Sequence, residues 1–204
     1  MDISIVADIM VALVSVGATL FSVWAGKRYM NNRKNSILIN ETIQNANVYT
    51  ALQFLLEEAG ADRAYVLEFH NGEHYFSGRG QQKFSCSYEV VREGISAESP
   101  NSQNHRVSNY HTYISQLVKD GDFSYSDINI INDVSFIQLL QQRGVSSIYN
   151  VPLKTLNGKI IGILGIDYVK SAPKSKEMGF QKSIVQSNRE FLRNQARIIT
   201  GYLM

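Results

Sequence analysis

Residues 147–169 read Ser147-Ile-Tyr-Asn-Val-Pro152-Leu-Lys-Thr-Leu156, then Asn157-Gly158, then Lys159-Ile-Ile-Gly162-Ile-Leu-Gly165-Ile-Asp167-Tyr-Val169. Two runs rich in β-branched and aromatic residues flank an Asn-Gly pair, the pattern of a β-hairpin. Asn-Gly tolerates positive φ at both central positions, so the expectation is a tight type I′ turn. The second arm, Ile160 to Val169, is largely apolar on both faces, as a central strand covered on both sides would be. Gly162 and Gly165 remove side chains there and let a neighbour pack close. Pro152 has no N–H to give to a ladder, so it marks an edge or a bulge in the first arm.

Outward from the hairpin, the chain ends in a helix running from about Glu177 to Leu203. Ile184, Val185, Asn188, Phe191, Leu192, Gln195, Ile198, Ile199 and Tyr202 fall on one side of it, and Lys182, Arg189, Arg193 and Arg197 on the other. The basic side reads as a solvated face; a sharper reading sets it against anionic lipid headgroups. Before the hairpin, Asp133 starts a short helix that runs to Arg143 and stops at Gly144. Phe123 to Ile128 reads as an edge strand, Tyr110 to Val118 as a helix ended by Gly121, and Gly94 to Asn109 as a long polar surface loop. Phe84, Cys86, Tyr88 and Val90 alternate with polar residues and predict a strand with one buried face. Arg63 to Phe69 is the first strand, closed by a turn at His70-Asn71-Gly72. A helix precedes it. Val48, Ala51, Leu52, Leu55, Leu56 and Ala59 share one face, and Gly60 is its stop.

The order is helix, strand, strand, short helices, two-strand hairpin, helix. That predicts an α+β fold in which an antiparallel sheet carries the terminal helices on one face. The hairpin resembles the GAF family of small sensory domains, in which a strand with a proline turns at a glycine and returns as a strand reading Gly-x-x-Gly-Ile/Leu; here that is Pro152, Gly158 and Gly162-Ile-Leu-Gly165-Ile. The resemblance covers residues 35–204 and implies a GAF/PAS-like fold with a ligand pocket between the sheet and the loops and short helices of its open face. The pocket residues it implies are His70, His74, Tyr75, Phe84, Tyr88, Tyr110, Tyr113 and Tyr125. The same aromatics equally suit the core of a domain that binds nothing.

The first 26 residues are of another kind. From Ile9 to Ala25 there is no charge, and Ser15, Gly17, Thr19 and Ser22 are the only interruptions. With Ile3 to Asp8 the run reaches the ~20 residues that a helix needs to cross a bilayer. No basic segment precedes it and no small-x-small cleavage site follows, which argues against a signal peptide. A buried core helix is the alternative by length. The reading is one transmembrane helix, residues 1–26, a basic juxtamembrane stretch, 27–36, and the folded domain, 37–204. Trp24 and Tyr29 sit where interface anchors do, and Lys27 and Arg28 follow the span with Arg33 and Lys34. No Lys or Arg precedes it, so the positive-inside rule places the domain in the cytoplasm. Gly17, flanked by Ala12, Ser15, Ala18 and Ser22, would let a second copy approach closely within the bilayer.

Composition narrows the function. Among 204 residues, Lys and Arg number 20 against 18 Asp and Glu, a net charge of +2, with no basic tract of the kind nucleic acid binders use. Cys86 is the only cysteine, so no internal disulfide forms. On an apolar alternating face it reads as a buried, inert thiol. His70 and His74 are the best metal-ligand candidates, but no third or fourth ligand stands at a recognisable spacing. Nucleotide-binding, serine hydrolase and zinc protease signatures are absent. The expectation is a non-enzyme without metal or cofactor, partnered by the lipid bilayer, by a second copy of itself, and by a small molecule or protein.

The layout also resembles the holins of T-even bacteriophages, with one N-terminal span and an α+β domain ending in a helix. Ala64-Tyr65-Val66, the hairpin and Asn194-Gln-Ala-Arg-Ile-Ile carry that resemblance. It implies a role in lysis, with the domain in the periplasm and a disulfide there. The single cysteine and the position of the basic residues depart from it.

Overall fold

The computed structural model describes residues 3–169 and 182–204, with the backbone alone for 3–9, 11–12, 32–35 and 182–188. The chain divides into two compact units, Met1–Asn45 and Ala46–Met204. Helix α1 is assigned from Ile3 to Ala59. Among the described residues no helix is long and apolar enough to cross a membrane. The uncharged run Ile9–Ala25 begins among residues whose side chains are not described, so the predicted anchor lies in part outside the described residues.

In the second unit six antiparallel strands form one sheet: β1 (Arg63–His74), β2 (Gly80–Val91), β3 (His105–Arg106), β4 (Phe123–Tyr125), β5 (Val145–Lys154) and β6 (Ile160–Val169), in the order β3-β2-β1-β6-β5-β4. Helices α2 (His111–Asp120) and α3 (Val134–Gln142) lie between β3 and β5, and α4 (Lys182–Leu203) closes the chain. The sheet is covered twice. On one face Val48, Leu52, Leu55, Leu56 and Ala59 of α1, with Leu192, Ala196 and Ile199 of α4, pack on Val66, Val151, Leu164 and Ile166. On the other, α2 and α3 bring Tyr113, Ile114, Leu117, Phe136 and Leu140 onto Tyr65, Leu67, Ile148 and Ile163. The predicted α+β architecture, with the terminal helices on one face, is what is observed.

β6 is paired with β1 and β5 and is buried from Gly162 to Asp167, with half-buried ends, as a central strand covered on both sides. β4 reaches only Ile148–Asn150 of β5, so the edge beyond it is open at Pro152. Glycine at 165 answers a close approach: a Cβ there would overlap the Tyr65 ring and the Asn150 amide.

Four expectations are corrected. The β5–β6 turn is not type I′. It spans Thr155–Lys159, Gly158 alone has positive φ (82°), and the Gly158 N–H donates to the Thr155 carbonyl at 2.9 Å. The Thr155 hydroxyl bonds the Asn157 side chain and the Lys159 N–H, which holds a longer loop than a two-residue turn. His70-Asn71-Gly72 is not a turn either. β1 continues to His74 and reverses through Tyr75–Arg79, where Gly78 (φ 78°) supplies the left-handed residue. In β2 the alternation does not keep one face. Val66 pairs with Tyr88 and Leu67 with Cys86, so Ser87 is an extra residue, a β-bulge that sends Phe84 and Cys86 to one face and Tyr88 and Val90 to the other. The polar stretch 94–109 carries two short 3-10 turns (Ser99–Asn101 and Val107–Tyr110) and β3. Glu89 holds it by accepting the N–H groups of Glu98 and Ser99 at 2.8 and 2.7 Å.

In α4, Leu192, Gln195 and Ile199 are buried as the helical spacing predicted, while Ile198 is 46% exposed. Its start at Glu177 and the face of Ile184, Val185 and Asn188 lie outside the described residues.

Candidate functional site

The face covered by α2 and α3 corresponds to the predicted open face, and rings fill it. Asp133 starts α3 by accepting the Phe136 N–H at 3.0 Å, and its second oxygen accepts the Tyr113 N–H of α2 at 3.3 Å. Both helices thereby turn aromatic residues toward the sheet. Phe136 stacks on Tyr113 with centroids 4.0 Å apart, and Phe123 meets Tyr113 edge-on at 4.7 Å. Tyr110 leans on Phe136 at 5.9 Å and on Phe84 at 5.6 Å. The His105 ring stacks on Phe84 at 5.3 Å and its Nδ1 lies 3.1 Å from the Tyr110 hydroxyl. Burial, then the nearby Arg143 charge, holds the His105 imidazole below its usual pKa.

Under the rings lies a polar chain. The Tyr65 hydroxyl donates to Asn150 Oδ1 at 2.9 Å, and Asn150 Nδ2 donates to the Tyr113 hydroxyl at 2.6 Å. Asn150 is 1% exposed and Tyr113 0%. Burial pushes both tyrosine hydroxyls far above their ordinary pKa, so they stay neutral donors and acceptors. A second buried group sits at the start of β1. Arg63, 1% exposed, donates through Nε to both Asp167 oxygens at 2.9 and 3.2 Å and through Nη2 to the Arg143 carbonyl at 3.1 Å. Burial pushes the Asp167 carboxyl up to about 6 against the pull of Arg63. This cluster anchors the 94–101 segment through Glu98, 3.8 Å from Arg63 and 3.9 Å from Arg143.

The candidate pocket residues divide. Phe84, Tyr110 and Tyr113 meet in the aromatic cluster, and half-buried Tyr125 packs beside Phe123 at 4.7 Å while donating to Gln116 at 2.9 Å. Tyr88 lies on the other face, edge-on to Tyr49 of α1 at 5.4 Å. His70 bonds the Ser85 hydroxyl at 2.8 Å across β1–β2. His74 is exposed near the tip of that hairpin, and Tyr75 holds Arg79 over its ring at 4.9 Å. Among the described residues no three His, Cys, Asp or Glu side chains come together as metal ligands would. Cys86 is buried, its Sγ 3.3 Å from the Tyr88 carbonyl, and burial pushes its thiol up to about 12, so it is not a thiolate at neutral pH. Of the anchor candidates, Trp24 carries Arg28 over its ring at 5.3 Å, and Lys27 and Tyr29 are exposed beside them on α1.

Two features escaped the sequence reading. Asn150 and Arg63 are polar residues inside strand patterns, and the local sequence carries no mark of their burial. The other is a groove of about 290 Å³ between the end of β5 and α4, lined by Gly121, Pro152, Lys154, Arg193, Ala196 and Arg197. Arg193 lies 3.8 Å from Asp122, which Arg189 also meets at 3.2 Å, and Arg197 donates to the Asn194 side chain at 3.4 Å.

No family model matches the chain, and no curated protein does. Solved structures do. The blue-light absorbing form of the PixJ GAF domain from Thermosynechococcus elongatus superposes with a TM-score of 0.56 at 15% identity, over 79% of this chain and 88% of that one. The GAF domain region of a protein from Geobacter sulfurreducens PCA gives 0.54 at 12%, over 80% and 97%. A GAF domain/HD domain protein from Geobacter sulfurreducens gives 0.52 at 13%, over 78% and 94%. The fold is GAF-like. At such identity the likeness speaks for the fold alone. The holin resemblance finds no support among these comparisons.

Proposed function

We propose that the chain is a membrane-tethered, non-enzymatic GAF-like module that senses or docks a partner at the cytoplasmic surface of a bilayer. The observation that carries this reading is the uncharged run Ile9–Ala25, followed by basic residues, in a chain whose second unit has a GAF-like fold. Within that run the Thr19 and Ser22 hydroxyls donate to the carbonyls of Ser15 and Ala18 at 2.8 Å, which leaves neither donor unpaired in a lipid surround. Lys27, Arg28, Arg33 and Lys34 follow the run and favour a cytoplasmic domain. Tethering raises the local concentration of the domain at the membrane, so weak contacts suffice there. The small residues around Gly17 give a second copy a close approach.

The non-enzymatic part rests on chemistry. The single thiol is held protonated, and on the aromatic face the Tyr110 hydroxyl beside His105 is a phenol whose pKa burial raises, which keeps it neutral. With Phe136 and Tyr113 stacked in it, that face suits a small ligand admitted by ring movement, or a partner outside it, better than a bulky cofactor. Carbonate extraction tests the tether: full-length protein should stay with the membranes, and its release into the soluble fraction would refute the reading. A reporter fused after Met204 should be active on the cytoplasmic side.

A further inference from the structure

Strand register brings two apolar tips to one end of the domain. β1 and β6 are antiparallel, with Arg63 opposite Asp167 at one end and Glu68 opposite Gly162 toward the other. The β1–β2 turn (75–79) and the β5–β6 turn (155–159) therefore project from the same end of the sheet. β4 begins at that end too, since Phe123 pairs with Asn150, and Gly121 and Asp122 precede it. At the crest of the first turn stands Phe76, 114% exposed, and at the crest of the second Leu156, 111% exposed. A single exposed apolar side chain is ordinary. Two at the crests of two neighbouring hairpins, each free of the domain that carries it, are not.

The surroundings of these tips are basic. Arg79 stands in the first turn, and Lys154 and Lys159 flank the second. Among the described residues none of the three forms an ion pair. Beside the Leu156 tip opens the groove in which Lys154, Arg193 and Arg197 converge. Among the described residues Glu73, Asp120 and Asp122 are carboxylates of this end, and Asp122 is already shared by Arg189 and Arg193.

We infer that this end of the domain is a lipid-docking surface, with Phe76 and Leu156 entering the interfacial layer of a bilayer and the lysines and arginines around them meeting anionic headgroup phosphates. A rigid protein partner would need two matched sockets for two separated side chains. A fluid bilayer closes round each independently, and apolar insertion with basic flanks is how peripheral segments hold an anionic leaflet. The groove is large enough for a headgroup phosphate between its three cations. The inference rests on the tethered reading for the membrane that the surface meets.

Full-length protein with Phe76→Cys or Leu156→Cys, labelled with an environment-sensitive fluorophore, is reconstituted into phosphatidylcholine vesicles with and without phosphatidylglycerol. Cys86 is buried, and unsubstituted protein controls for its labelling. Trp24, the single tryptophan, reports the tether separately. Both probes should shift to the blue and be quenched by shallow spin-labelled lipid when phosphatidylglycerol is present. Lys154→Glu combined with Lys159→Glu should weaken this at the Leu156 tip by about ten-fold. If Trp24 is quenched while both tips stay in water, the docking surface is overturned and the tether stands. If the tips are quenched and Trp24 is not, the surface stands and the tether falls. Shielding of the tips that is equal with and without vesicles would mean a protein contact and would also overturn the inference.

Discussion

On one face of the sheet Leu52, Leu55, Leu56, Leu164, Leu192 and Ile199 meet as aliphatic side chains; on the other Tyr110, Tyr113, Phe123 and Phe136 meet as rings over a buried asparagine. The mainly aliphatic face, which also holds the buried Tyr149 ring, belongs to helices several turns long, which bury a stripe at regular spacing. The aromatic face belongs to helices of nine and ten residues. Such short helices are marginal by themselves, so caps, ring contacts and the Tyr65–Asn150–Tyr113 chain hold them. One face is built by area and the other by geometry, and substitutions separate the two.

Phe136→Ala should have the largest effect, about 3–5 kcal/mol from lost contacts and the cavity left behind, against ~2–5 kcal/mol for Leu52→Ala on the aliphatic face. The informative difference is in recovery. A cavity between Tyr110, Tyr113 and Phe123 should accept a small aromatic such as benzene, and the ligand should raise the Tm of Phe136→Ala. Thermal unfolding in detergent with and without benzene measures it. Equal recovery in both variants would mean that the two faces pack alike.

Gly165→Val comes next. Any side chain at 165 meets the Tyr65 ring and the Asn150 amide, so the valine must displace the polar chain itself. Overpacking costs about 1–3 kcal/mol. An unchanged denaturation midpoint would show that the chain yields and that geometry does not govern this face.

The aliphatic half of this comparison was legible in the sequence and the aromatic half only in part. Val48, Leu52, Leu55 and Leu56 repeat at helical spacing, so periodicity assigned them, and Leu164 and Ile166 stand in the apolar run of a covered strand. Tyr88 was misplaced because one extra residue, Ser87, reverses the alternation, and a bulge leaves no mark in a pattern of period two. The turn at His70-Asn71-Gly72 failed because pairing with β2 continues past Gly72, and the positive φ sits at Gly78. Asn150 and Arg63 are polar residues within strands, and both are buried. Their burial depends on partners 85 and 104 residues away in the chain, Tyr65 and Asp167, which no local pattern reports.

An effect of the same order is expected from Tyr113→Phe. It removes the hydroxyl that accepts from Asn150 Nδ2 and leaves that donor buried, at a cost of about 1–3 kcal/mol. Asn150→Leu combined with Tyr65→Phe and Tyr113→Phe removes every partner at once and should cost less than the sum of its parts. Strict additivity would mean that the three groups act separately.

The smallest effect tests whether one carboxylate ties the two short helices together. Asp133 caps α3 through the Phe136 N–H and reaches α2 through the Tyr113 N–H, the two residues whose rings stack 4.0 Å apart. A cap alone contributes about 0.5–2 kcal/mol. Asp133→Ala should lose the upper part of that range, because two backbone donors go unpaired. Asp133→Ser should restore the cap to Phe136 but not the longer reach to Tyr113, and so recover about half of the loss on the same scale. Chemical denaturation of the two variants side by side gives both values. If serine recovers everything, the contact to α2 contributes nothing and the rings alone register the helices. If it recovers nothing, the link between α2 and α3 outweighs the cap, and the aromatic face is set by where its two helices begin.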